Sequence, residues 1–215
     1  MAKTALLRRR FTGAALAAGA GGSLVLALSL GASLSGFTAV ITNQNNTAAT
    51  AAMAIQETGG TAPCNSYDAT ATCTTINKYG GTGTPLVPGG TQTTTVTFAN
   101  TGSTAVGSAT MKAGTCTATT RSGVTGASTP TSPNTSAGNL CSVLKVDVYK
   151  AATATGTPVF TGTLAAFETA AATALGALAT GANQPYTFVV TYPTAADNAT
   201  QGQQVSQPIV WTFNQ

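Results

Sequence analysis

After an apolar leader, hydrophobic positions in this chain alternate with polar ones far more often than they recur every three or four residues. That is the period of half-buried strands, not of helices. The run TTTVTFAN at 93–100 is the clearest case: Thr94, Val96 and Phe98 share one face, and Thr93, Thr95 and Thr97 the other. Leu86-Val87-Pro88-Gly89-Gly90 supplies a turn before it and Asn100-Thr101-Gly102-Ser103 another after it, so the run 104–112 is expected to fold back alongside and begin a meander. Further strands are predicted over 142–150, where Leu144, Val146 and Val148 alternate with polar residues, and over 185–193, where Tyr186, Phe188 and Val190 share a face. The last run, 205–213, alternates Ile209, Trp211 and Phe213 but contains Pro208, which points to a bulge or an edge position. Only Leu164–Leu178, alanine-rich with Leu164, Phe167, Ala171, Leu175 and Leu178 three or four apart, predicts a helix. The expectation is a mostly β, antiparallel sandwich with one short helical excursion.

Charge changes this picture through the leader. Lys3, Arg8, Arg9 and Arg10 precede an uncharged Ala/Gly/Leu stretch whose apolar centre is Leu24–Leu30. That layout is an export signal, too short and too glycine-interrupted for a permanent membrane span. Small residues around Ser35 and Ala39 offer cleavage points, which divides the chain into a signal peptide at 1–36 (cleaved between about 35 and 39), an N-terminal segment at 37–49 and a sandwich domain at 50–215. The net charge of +4 belongs to the leader. Beyond it Lys78, Lys112, Arg121, Lys145 and Lys150 balance Glu57, Asp68, Asp147, Glu168 and Asp197. With no basic cluster left to neutralise phosphates, nucleic acid is excluded as a partner. A near-neutral surface favours self-association.

Four cysteines in an exported chain point to disulfides and permit three connectivities. The sequential one, Cys64 with Cys73 and Cys116 with Cys141, is favoured because each pair brackets a Gly/Thr/Asn-rich loop. The second of these, 115–140, is long, polar and rich in Pro, Ser and Thr, the composition of a surface loop. The chain contains no histidine, which removes His-based nucleophilic catalysis and the common zinc sites. The five scattered carboxylates form no recognisable hydrolytic pair, and the glycine clusters lack a phosphate-binding Lys-Ser/Thr. The expectation is a protein that is not an enzyme, without metal or other cofactor.

Four stretches together resemble the TasA/camelysin family of exported bacterial surface and biofilm-matrix proteins. They are SLSGFTAVITNQNNTAATAAMAIQ from residue 33, LVPGGTQTTTVTFANTGSTAVGSATM from residue 86, SVLKVDVYK with PVFTGTLAAFETAAATALGALATG, and PYTFVVTYPTAADNATQGQQVSQPIVWTFNQ from residue 185. The turn residues Pro88, Gly89, Asn100, Gly102, Asn198, Gln201 and Gly202 carry the local matches, which span most of residues 31–215. The resemblance implies a jelly-roll sandwich, cleavage by a dedicated signal peptidase and a place in an extracellular matrix or at the cell surface. The four cysteines, the Thr/Ser loop and the sparse charge depart from the family pattern. The metalloprotease activity described for camelysin finds no ligands here.

The resemblance also implies a fibre subunit that assembles with itself or with related surface proteins. In FTAVIT, Phe37, Ala39 and Ile41 alternate with Thr38, Val40 and Thr42, so the segment can add as a donor strand to a neighbouring sheet edge. The same residues could instead form a tail or a strand of their own subunit. An alternative function is a surface adhesin or ligand-binding module that uses the 116–141 loop.

Overall fold

The strands form where alternation coincides with β-branched and aromatic residues, and they pair antiparallel throughout. The computed structural model describes residues 49–215, of which 50–215 form one compact unit. The signal segment, its cleavage region and the candidate donor residues Phe37, Ala39 and Ile41 lie outside the described residues. One layer runs β2 (Cys64–Asn65), β1 (Ile55–Thr58), β3 (Thr91–Asn100), β9 (Asn183–Thr191), β6 (Lys145–Tyr149) and β7 (Phe160–Thr163). The facing layer is made of β11 (Ile209–Asn214), β4 (Ser108–Ala113) and β8 (Thr173–Ala174), with β5 (Thr117–Thr120) paired to β10 (Gln203–Ser206). Two short helices, α1 (Leu140–Val143) and α2 (Leu164–Thr169), complete a mostly β sandwich.

The core is the set of inward positions that alternation selects. Val96 and Phe98 of β3, Tyr186, Phe188 and Val190 of β9, and Val146 and Val148 of β6 are all buried. β9 sits between β3 and β6, and its Pro185 lies past the end of β6, where only β3 flanks it. A residue without a backbone N–H is tolerated there. Trp211 of β11 closes the two layers, its ring 4.4 Å from Phe98 and 5.1 Å from Tyr186.

Three expectations are corrected. The run 104–112 does not turn back beside β3: apart from an isolated bridge between Val106 and Leu178, it crosses to the other layer and pairs with β11 and β8. The connectivity is therefore that of a layer-changing sandwich and not of a meander. The helix expected over 164–178 stops at Thr169. Lys112 Nζ donates to the carbonyls of Glu168 and Ala170 at its end, and beyond it Leu175 N bonds to Ala109 O and Leu178 N to Val106 O. Pairing with β4 overrides the helical propensity of the alanines. Finally, the single run expected over 205–213 is two strands: Pro208 lies between β10 and β11, which join different sheets, and β11 takes the edge position that Pro208 predicted.

Burial of tyrosine gives the fold an alkaline limit. Desolvation raises the phenol of Tyr79 and lifts that of Tyr186 from 10.0 to about 12. The folded chain thus keeps protons that the unfolded chain releases above pH 10, so stability falls as pH rises from about 10 to about 12. Urea midpoints should be flat approaching pH 10 and drop beyond it.

Candidate functional site

The Cys64–Cys73 bridge closes a half-exposed loop beside β1, and Cys116–Cys141 joins the start of β5 to α1 deep in the core. The sequential pairing is the one present. The 116–141 segment is not a free loop. It contributes β5, and Asn134 Nδ2 donates to Glu168 Oε2 at 3.1 Å, which also accepts from Cys116 N at 3.0 Å. Asn139 buries its amide, donating to Thr131 O and accepting from Cys141 N.

The turn residues singled out in the sequence separate into two groups at opposite ends of β3. At its start, Gly90 N bonds to Val87 O across the Pro88-Gly89 turn, and Gly89 N reaches Tyr192 O at 2.7 Å. This brings the turn next to the 3₁₀ turn at Asn198–Thr200, which Asp197 caps through Ala199 N. Gln201 Nε2 then donates to Gly126 O, and Ser128 Oγ donates to Asn198 O, tying that turn to the 116–141 segment. Pro88, Asn198, Gln201 and Gly202 thus come together around a cavity of about 320 Å3 with Leu86, Val190 and Tyr192 in its wall.

At the other end of β3, Asn100 is 1% exposed. Its side chain donates to Thr104 O and Leu178 O and accepts from Gly102 N. Gly102 N and Thr101 N bond to Ala54 O. A Cβ on Gly102 would fall 2.4 Å from Ala52 O, so only glycine allows this approach. These two residues pin the chain as it enters β1 from the N-terminal segment.

A second feature is the edge position that Pro208 led the sequence analysis to expect of the last run. β11 ends its sheet and pairs on one side only. Pro208 O and Asn214 O face β4, so the backbone groups of the odd positions, Ile209, Trp211 and Phe213, point to the open edge. Their side chains face the core yet remain partly exposed, while Val210 on the outer face is 57% exposed. Along this edge runs a groove of about 610 Å3, bounded on the far side by Ile55, the Cys64–Cys73 loop and Tyr79. Trp211 Nε1 is buried without a hydrogen-bond partner among the described residues. Glu57 in the same wall is paired with Lys78 at 2.6 Å. The sequence signal for this edge was Pro208, which interrupts the final alternating run.

Among the described residues no group of His, Cys, Asp and Glu could hold a metal ion, and no helix is long and apolar enough to cross a membrane. Two disulfides are compatible with an extracellular location. No model of a known protein family matches the chain, and no curated protein matches it significantly.

Proposed function

We propose that the protein is an exported structural subunit, related to the TasA/camelysin family, that builds an extracellular fibre or surface coat by strand donation. The observation that carries this reading is the open edge of β11: unpaired backbone groups at Ile209, Trp211 and Phe213 beside a half-covered aromatic face. Residues 37–47 of a second copy supply what the edge lacks. Main-chain bonds would extend the sheet, Phe37 and Ile41 would enter the groove of about 610 Å3, and a strand carbonyl could accept from Trp211 Nε1. A register slip of one residue would turn those side chains outward, so the alternation of FTAVIT sets the fit. On this reading the partners are further copies or related surface proteins, with signal peptidase acting once during export, and the protein catalyses no reaction.

Electron microscopy and size-exclusion chromatography test it on protein starting near Gly36, on the same protein carrying Ile41→Asp, and on a chain starting at Thr50. Filaments are expected from the first alone, with the other two remaining folded monomers. Monodisperse monomer from all three would remove the donor-strand reading.

A further inference from the structure

We propose that the cavity between the Pro88-Gly89 turn and the Asn198–Gly202 turn binds a neutral sugar, one or two rings in size. The cavity of about 320 Å3 lies at the small end of ligand pockets, which run from about 300 to 1,000 Å3. Its lining combines two kinds of surface. The apolar part includes Leu86, Val190 and the rings of Tyr79 and Tyr192. Both phenol hydroxyls are already used, that of Tyr79 donating to Gln207 Oε1 and that of Tyr192 bonded to Thr200 Oγ1, each at 2.8 Å. Tyr192 is itself largely buried, so the ring surface open to the C–H face of a pyranose is chiefly that of the partly buried Tyr79.

The polar part is made chiefly of amides. Gln92 and Gln204 line the cavity, and their side chains have no hydrogen-bond partner among the described residues. The neighbouring Gln203 makes a contrast: its amide is fully engaged with Leu140 N, Gly138 O and Ala199 O, and serves the fold. An amide offers donors and an acceptor together, the same complement as a vicinal pair of hydroxyls. Gln92 is also held in place, lying across Gly80 so closely that a Cβ there would come within 2.0 Å of its Cγ.

Charge narrows the ligand class. Arg121 and Asp197 are the charged residues of the lining, one of each sign. Arg121 already gives one N–H to Thr82 O. No cationic cluster selects a phosphate or uronate, and a purely apolar ligand would bury the free amides of Gln92 and Gln204 without partners. The cavity shares Tyr79 with the wall of the β11 groove, but Gln92 and Gln204 line the cavity and not the groove, so a test on them is independent of filament formation.

Saturation-transfer NMR on the purified protein with glucose, N-acetylglucosamine and cellobiose tests it, with glucuronate and hexanol as charged and apolar comparisons. At least one neutral sugar should give transfer. Its Kd should rise tenfold or more in Gln92→Ala and Gln204→Ala and stay unchanged in Val210→Ala, a change at the β11 edge. Repeating the measurement with dextran separates a free-sugar site, which ignores the polymer, from one that accepts chain ends. No transfer from any neutral sugar, a preference for glucuronate or hexanol, or undiminished binding by both glutamine variants would overturn the proposal.

Discussion

Replacing Cys116 and Cys141 together by alanine is expected to lower unfolding stability by about 3–4 kcal/mol. The reason is the loop the bridge closes: a sequence separation of 25 corresponds to about 3.5 kcal/mol of chain entropy withheld from the unfolded state. Both sulfurs are buried, Cys141 completely, so a small cavity adds to the loss. The same double change at Cys64 and Cys73, with a separation of 9 and partial exposure, should cost less, about 2.6 kcal/mol. Guanidinium unfolding of the two variants under non-reducing conditions measures both. Mild reductant should also open the exposed Cys64–Cys73 bridge first, read by mass spectrometry after alkylation. Equal losses for the two pairs would mean that neither loop size nor burial governs their contribution.

This ordering bears on function because the deeper bridge holds the wall of the end cavity. Cys141 lies in α1, where Leu140 lines the cavity and bonds through its N–H to Gln203. Loss of the bridge loosens β5 and α1 together. The shallower bridge borders the β11 groove instead, through Cys64 and Cys73 in its wall. Each disulfide thus stabilises the rim of a different feature, one the end cavity and the other an open strand edge.

Alternation alone makes the central layer legible in the sequence. Val96 and Phe98, Val146 and Val148, and Tyr186, Phe188 and Val190 are buried as their spacing predicts, since a pleated strand leaves two faces and only one reaches the core. Partner choice is not legible in the same way. Nothing local in 104–112 distinguishes a strand that returns beside β3 from one that crosses to the opposite layer, because the decision rests on contacts with β11 and β8 far along the chain. The alanines after Thr169 illustrate the same limit: a helical period of leucines is outweighed by backbone bonds to Ala109 and Val106. Of the candidate sites, the turn residues are legible as turns, but not their convergence on a cavity. The free amides of Gln92 and Gln204 stand in polar runs like those around engaged ones such as Gln203 and Asn139. Only the packing separates them.

Asn100 shows how much a turn residue can carry, and Asn100→Ala is expected to be costly although it falls in a polar turn. In the sequence Asn100 opens a polar turn; in the fold it is 1% exposed and satisfies Thr104 O, Leu178 O and Gly102 N at once. Alanine removes all three bonds; Gly102 N keeps Ala54 O and Leu178 O keeps Val106 N, while Thr104 O loses its partner, a cost of about 2 kcal/mol. Asn100→Asp should be similarly harmful, because a carboxylate keeps the acceptor for Gly102 N but cannot donate to either carbonyl. Thr101→Ala, one residue on and exposed, loses a single 3.3 Å bond to Ala54 O and should change stability by less than about 0.5 kcal/mol. Denaturant midpoints for the three variants decide the point. Hydrogen exchange adds a local readout, since the turn bonds to Ala54 and Ala52: Asn100→Ala should lose protection first at Thr101, Gly102 and Ser103. A near-neutral Asn100→Ala would mean that the entry to β1 is held by other contacts, and that this turn does not fix where the N-terminal segment leaves the sandwich.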